Sequence, residues 1–354
     1  MKDKILIIGG YGNVGKVISE NLAIKFPNKV IVAGRNKEKG QQFINDLNLE
    51  AQAIAIDLNS NYTDTIGFNE IRVIISCIEF LKNDKLLLNC MKYNVNYTEI
   101  ATSYEAYKRL MVYKKEVKNS GICLIPGVGL MPGLSGVFVY DAVKKATEIK
   151  LVQSYVLLGL GENHGLDAIR WMMEYANKTF SLKTENGIET VKSFTSPRKE
   201  KLLNENFTRF FYRFNFGDQH IISSTCNNVT AQTRLAFDSK FITKLMGILK
   251  QLGLFGMLSK ANPIKVKKWL SKFQFGSDKF AVQTHCYDEN DKEYIYLAEG
   301  RNEGRATGII ATYAVLQLYR TKSNGIKRLE ELIKFEDFIS FLNKYQINFK
   351  IKTI

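Results

Sequence analysis

The chain has 354 residues, of which 45% are hydrophobic, 24% charged and 12% aromatic. That apolar share excludes a disordered protein, and 25 Gly with 5 Pro excludes a collagen-like or linker-like one. Lys and Arg number 50 against 35 Asp and Glu, a formal charge of +15. The excess is spread in small clusters, such as Arg198-Lys199-Glu200-Lys201 and Lys265-Val266-Lys267-Lys268. A nucleic-acid binder shows instead a concentrated basic tract with interleaved aromatics. The pattern reads as a Lys-rich solvated surface whose field also favours an anionic substrate or cofactor.

The first 146 residues alternate strand and helix. Ile5-Leu-Ile-Ile8 is a continuous apolar run, as for a parallel strand buried on both faces. It runs into Gly9-Gly10-Tyr11-Gly12-Asn13-Val14-Gly15, and a helical pattern follows through Val14, Val17, Ile18 and Leu22. Strands are expected at 29–33, 53–57, 73–76, 96–100 and 122–125, and helices at 37–47, 86–93, 104–118 and 133–145. Such βα units need right-handed crossovers and give a doubly wound parallel sheet.

Gly10-x-Gly12-x-x-Gly15 matches the dinucleotide fingerprint in its required context, after a buried strand and opening a helix. Gly10 allows the tight turn, Gly12 lets backbone approach a pyrophosphate, and Gly15 lets helix pack on strand. The helix start offers unpaired N–H groups and a positive dipole end. An NAD-preferring site carries an acid at the end of the second strand. Here the strand ends Val32-Ala33-Gly34-Arg35-Asn36-Lys37, with no acid at that place. An arginine pairs with a 2′-phosphate bidentately, so NADP(H) is expected over NAD(H). Asp57 is read as ending the third strand, placed to approach the adenine edge or to cap a turn.

Residues 148–300 read as a second, mixed α/β segment. Strands are expected over 148–158 and 229–237, a helix over 166–178, and a hairpin at 180–191 around Asn186-Gly187. Helices follow at 241–252 and 263–273, then a hairpin formed by 281–287 and 293–298, and a late helix over 305–319. The aromatic-rich stretch Phe207 to Phe216 reads as core and edge packing. The domain reading is 1–147 for the dinucleotide domain, 148–300 for a substrate and dimerisation domain, and 301–354 for C-terminal helices.

Gly-Gly-Tyr-Gly-Asn-Val-Gly (9–15), Val-Ala-Gly-Arg (32–35), Ala-Ile-Asp-Leu (55–58), Asn-Tyr-Thr-Glu (96–99) and Gly129-Leu-Met-Pro-Gly133 together resemble the saccharopine dehydrogenase-like family, over residues 1–140. The resemblance implies an NADP-binding Rossmann domain interrupted by a second α/β domain, with a late helix returning to the first. It implies a homodimer, and chemistry at a C–N bond in many members or reduction of a C=C bond in others. Many members carry an acid before the Pro of Gly-x-x-Pro-Gly, where this chain has Met131. The expected cofactor set is Gly10, Tyr11, Gly12, Asn13, Val14, Gly15, Arg35, Asn36, Lys37, Asp57, Ser76, Cys77, Gly129 and Gly133.

In open parallel sheets the ligand lies beyond the carboxyl ends of the strands. That rule makes Glu79, Glu99 and Tyr97 the candidate acid/base groups, with the alternative that Glu99 is a fixed cap or ribose contact and Glu79 a surface residue. Cys77 reads as a small residue beside the nicotinamide path. His164 is a loop residue, whereas His220 and His285 sit in strand-like runs. Arg170, Arg209, Arg213 and Arg234 are unranked candidates for a substrate carboxylate. The five Cys form no CxxC pair, and the three His have no metal spacing, so reduced thiols, no metal and a cytoplasmic setting are expected. The N-terminus has no signal-peptide pattern, and no stretch reaches the roughly 20 apolar residues of a membrane span. The functional expectation is an NADP(H)-dependent oxidoreductase interconverting an imine and an amine. The alternatives are an enoyl reductase on an acyl or lipid-like substrate and a non-catalytic NADP(H) sensor.

Overall fold

A computed structural model of the chain describes residues 2–60, 62–63, 65–78, 84–146, 148–161, 166–184, 187–226, 228–253, 262, 264 and 276–354, with backbone alone at 166–170. The helix expected over 263–273 falls, Ile264 apart, outside the described residues. The chain divides into two compact units, 1–133 with 307–338, and 134–306 with 339–354.

The first unit is built on a parallel sheet. Strands β1 (Lys4–Ile8), β2 (Val30–Gly34), β3 (Ala51–Ala55), β4 (Ile71–Ser76), β5 (Asn96–Glu99) and β6 (Cys123–Ile125) alternate with α1 (Asn13–Lys25), α2 (Lys37–Asp46), α3 (Lys85–Lys92), α4 (Tyr104–Met111) and α5 (Lys114–Ser120). The order is β6-β5-β4-β1-β2-β3, extended at the β6 edge by a two-residue strand of Gly325–Ile326, and every pairing is parallel. Strand order reverses between β1 and β4, the switch point at which open sheets bind ligands. The continuous apolar runs are explained by burial on both faces: Ile5, Leu6, Ile7 and Val73, Ile74, Ile75 are all fully buried.

Two elements differ from expectation. The single helix over 104–118 is two helices, because Tyr113 N–H bonds Leu110 three residues back and its hydroxyl reaches Asp84 Oδ2 at 3.0 Å. Strand β3 ends at Ala55, level with Gly34 of β2, so Asp57 does not end the strand. It opens a turn, its Oδ1 accepting the Asn59 N–H at 3.0 Å.

The second unit contains α6 (Ser135–Lys145), β7 (Ile149–Leu158), α7 (Leu166–Tyr175), β8 (Thr179–Thr184), β9 (Gly187–Lys192), β10 (Thr195–Glu200), β11 (Arg209–Arg213), α8 (Gly217–Thr225), β12 (Thr230–Phe237), α9 (Lys240–Gln251), β13 (Lys279–Asp288) and β14 (Glu293–Arg301). Helices α10 (Glu303–Arg320) and α11 (Phe335–Asn343) and strand β16 (Asn348–Thr353) follow, with Gly325–Ile326 as β15. The sheet order is β10-β11-β12-β7-β13-β14-β16, antiparallel except for β12 with β7, and β8-β9 is a separate hairpin. Helices α6 and α8 cover one face: Phe138 stacks on Tyr296 at 5.3 Å, and Thr233 meets the Asp218 carboxylate. His220 lies on α8 and not on a strand. Gly217, Asp218, Gln219, Ile221 and Ile222 are its buried residues, a helical face that the aromatic run before it disguises. The C-terminal region includes strand β16 as well as helices.

From Thr307 onward, α10 belongs to the first unit, as the resemblance implied. A Cβ on Gly308 would stand 2.7 Å from Val17 Cβ, so glycine lets α10 lie directly on α1. The Asn96 amide donates to Leu318 O at 2.8 Å, and Tyr319 O–H to Asp3 O at 3.1 Å.

Candidate functional site

The glycine loop leaves β1 at the switch point. Gly9 has φ +76°, a conformation that favours glycine. A Cβ on Gly15 would stand 2.1 Å from Gly9 O and 2.9 Å from Gly10 Cα. Only glycine allows helix and loop to approach this closely. Ser19, on the buried face of α1, donates to Gly10 O at 2.8 Å and braces the turn. Gly12 is the N-cap of α1 and is exposed; it brings no capping side chain, and the first turn carries no acid. The start of α1 therefore presents backbone N–H groups and an unopposed positive dipole end. Asn13 is exposed there, and Val14 half-buried.

Tyr11 has a part that the motif does not reveal. Its ring lies over the end of β2, where a Cβ on Gly34 would stand 2.4 Å from Tyr11 Cε1, and it touches α2 at Gly40. The Asn36 N–H donates to Tyr11 Oη at 2.9 Å, while Asn36 Oδ1 accepts the Lys39 N–H at 2.7 Å as the N-cap of α2. Asn36 is thus occupied in holding the turn. Its neighbours Arg35 and Lys37 are both exposed.

At the end of β4, Ser76 stands level with Ile8 on one side and Glu99 on the other. Its Oγ is buried and has no hydrogen-bond partner among the described residues. Cys77 N–H donates to Ile8 O at 2.8 Å, and its Cβ lies beside Gly9. Burial pushes the Cys77 thiol up to about 12, so it remains protonated. All five cysteines are free. Glu79 lies outside the described residues, as do His164 and the side chain of Arg170.

Glu99 and Tyr97 are brought together. Tyr97 O–H donates to Glu99 Oε2 at 2.7 Å, and Arg109 Nη2 reaches Glu99 Oε1 and Oε2 at 2.7 and 2.8 Å. The other side of Arg109 pairs with Asp84. Burial pushes the Glu99 carboxyl up from its ordinary value, and the Arg109 charge draws it back. Burial, with Glu99 beside it, holds Tyr97 well above the usual phenol value. The arrangement is a locked ion pair beneath the end of β5. Arg109 and Asp84 were not legible as its members, because their spacing from Glu99 carries no motif.

After β6, Gly127 to Gly133 turns through a cis Met131–Pro132 peptide into α6. Gly133 takes φ +126°, and Gly129 packs against Thr307, where a Cβ would stand 3.1 Å from Thr307 Cγ2. Both are buried. Among the described residues no group of His, Cys, Asp and Glu could hold a metal ion, and no helix is long and apolar enough to cross a membrane.

Residues 5–125 match the family described as the saccharopine dehydrogenase NADP binding domain. No curated protein matches the chain in sequence. Among solved structures, the chain is similar to apo saccharopine dehydrogenase (L-Glu forming) from Saccharomyces cerevisiae, with a TM-score of 0.69 at 15% identity over 99% of this chain and 100% of that one. It is also similar to homospermidine synthase from Legionella pneumophila in complex with NAD, with a TM-score of 0.66 at 11% identity over 99% of this chain and 92% of that one. At these identities the likeness concerns the fold. The chain thus carries a domain that matches the saccharopine dehydrogenase NADP binding domain over 5–125, and shares the fold of these two structures along its length.

Proposed function

We propose that the protein is an NADP(H)-dependent oxidoreductase that interconverts an imine and an amine. The observation that carries the cofactor reading is the turn after β2, Gly34-Arg35-Asn36-Lys37, which offers two exposed cations and no carboxylate. NADP(H) fits the residues present. The bare Gly12 cap admits a pyrophosphate against the start of α1, and the Tyr11–Asn36 bond holds the turn from which Arg35 and Lys37 would meet a 2′-phosphate. When bound, the nicotinamide supplies or accepts the hydride. Ser76 Oγ, a buried hydroxyl without a partner among the described residues, is the donor we assign to the nicotinamide end, with the protonated Cys77 beside it.

Gly10, Asn13, Val14 and Gly15 complete the phosphate loop, and Gly129 and Gly133 shape the turn after β6. The locked Glu99 is assigned a positioning part: with Tyr97 and Arg109 it holds the end of β5 level with Ser76. Glu79 is the remaining candidate for proton transfer. C–N chemistry is supported by the family resemblance and by the likeness in fold to proteins named for saccharopine and homospermidine. The same reading takes 148–300 as the substrate domain and the protein as a cytoplasmic homodimer.

The test is NADPH consumption by the purified protein with cyclic imines, keto acid–amine pairs and enoyl thioesters. Turnover with an imine supports the proposal. Turnover with enoyl thioesters alone moves the chemistry to C=C reduction, and tight binding without turnover on any class points to a sensor.

A further inference from the structure

The face of the second sheet that turns away from α6 and α8 carries an arrangement of charge that the dinucleotide site does not use. In the antiparallel pair of β11 and β12, Arg213 stands directly opposite Arg234. Directly opposed residues share a face with their Cβ atoms close together, and like charges so placed repel. Arg198 of β10, in register with Phe211, lies on this face as a third cation.

The two opposed arginines are answered unequally. Arg213 Nη1 donates to Glu189 Oε1 at 2.8 Å, but its Nε is buried and without an acceptor. Arg234 is 6% exposed. Among the described residues its Nη1 reaches the Gln232 amide oxygen at 3.1 Å, and its Nε is also buried without an acceptor. No carboxylate among the described residues pairs with it. The contrast with other enclosed arginines is plain: Arg109 has Glu99 and Asp84, and Arg209 has both oxygens of Glu205 and the Asp238 carbonyl. Of the acids near this face, Glu189 is taken by Arg213, and Glu200 lies by the Tyr155 hydroxyl. Burial and the neighbouring guanidiniums pull Arg234 down to about 10, far enough to disfavour its charge and not enough to remove it at neutral pH. A guanidinium enclosed beside a second one, with N–H groups of both lacking acceptors, carries a cost that a bound anion would offset.

We propose that Arg213 and Arg234 form a subsite for the oxyanion of a small molecule, a carboxylate or a phosphate, on residues separate from the dinucleotide loop. A planar or tetrahedral oxyanion offers two or more acceptor atoms to N–H groups that lack them and offsets the opposed charge. Arg198, exposed at the same face, adds attraction at the entrance.

The experiment is a thermal-melt and calorimetric titration of the full-length protein with glutarate and with inorganic phosphate, against chloride at matched ionic strength. It is run on the wild type, Arg234→Gln and Arg213→Gln. The wild type is expected to gain melting temperature with at least one oxyanion beyond chloride; glutarate and phosphate, run separately, tell which. Affinity should fall at least tenfold in both variants while NADPH binding is retained. Without added anion, Arg234→Gln is expected to melt at or above the wild type, because it removes the opposed charge. No gain beyond chloride, or an equal gain in Arg234→Gln, overturns the proposal. So does a change of oligomeric mass in Arg234→Gln with no anion effect on the wild type, which would assign the acceptor to a carboxylate of a second copy. Should Arg234→Gln fail to fold, the wild-type titration and Arg213→Gln still decide.

Discussion

Arg109 Nη2 lies 2.7 and 2.8 Å from the two carboxylate oxygens of Glu99, and Glu99 is 1% exposed. Breaking a buried pair from one side leaves the other charge uncompensated. Arg109→Met is therefore expected to lose about 3–5 kcal/mol. Glu99→Gln should lose less, because Arg109 keeps Asp84. Urea denaturation at neutral pH ranks the two, and the reverse order would contradict the locked-pair reading.

Gly15→Ala forces a methyl group to within 2.1 Å of Gly9 O. Overpacking of this kind costs about 1–3 kcal/mol, and here the strain falls on the phosphate loop. The variant should melt lower and bind NADPH at least about tenfold more weakly, a difference of ~1.4 kcal/mol. Unchanged affinity in a folded variant would argue against the loop as the dinucleotide cradle.

Tyr11→Phe removes the acceptor of the Asn36 N–H while keeping the ring over Gly34. The expected loss of stability is small, about 0.5–1.5 kcal/mol. NADPH binding should weaken several-fold and NADH binding hardly at all, because the loosened turn is the one bearing Arg35 and Lys37. Fluorescence titration of both dinucleotides reads the difference.

Asp218 is buried on α8 against Thr233, and burial pushes its carboxyl from 3.8 up to about 7. Below about pH 4 it is protonated whether folded or not and costs nothing. Between about pH 4 and pH 7 the unfolded chain releases a proton that the native state retains, so this group lowers stability as pH rises. The penalty is complete above the folded value and amounts to at most about 4 kcal/mol, at ~1.4 kcal/mol per unit. Asp218→Asn should match the wild type near pH 4 and exceed it at pH 8, as urea denaturation across that range would show. A variant less stable than wild type at pH 8 would show that the ionised carboxylate is favoured.

The first unit was largely legible in the sequence because its strands are buried on both faces. Runs such as Ile5 to Ile8 and Val73 to Ser76 leave no other reading, and the glycines sit where backbone approach demands them. The second unit was less so. Its sheet presents one face to helices and another that mixes the Arg213 and Arg234 pair with an apolar cluster of Tyr155, Phe211 and Leu297, and β10 at its edge, with Ser196, Pro197 and Arg198, carries no apolar alternation. The helix of His220 is hidden behind the aromatic run Phe210 to Phe216. What could not be read at all are partnerships between distant positions: Arg109 with Glu99, Arg213 opposite Arg234, and Gly308 beneath Val17. Each depends on register or helix crossing, which pattern alone does not supply.

We propose that the turn after β2 selects NADP(H). A paired fluorescence titration of the wild type and Arg35→Ala with NADPH and NADH tests it most directly. NADPH is expected to bind the wild type about 10- to 100-fold more tightly than NADH, the worth of one or two charged hydrogen bonds. That preference should largely vanish in Arg35→Ala through loss of NADPH affinity alone. Equal binding of the two dinucleotides by the wild type, or a preference for NADH, would contradict it.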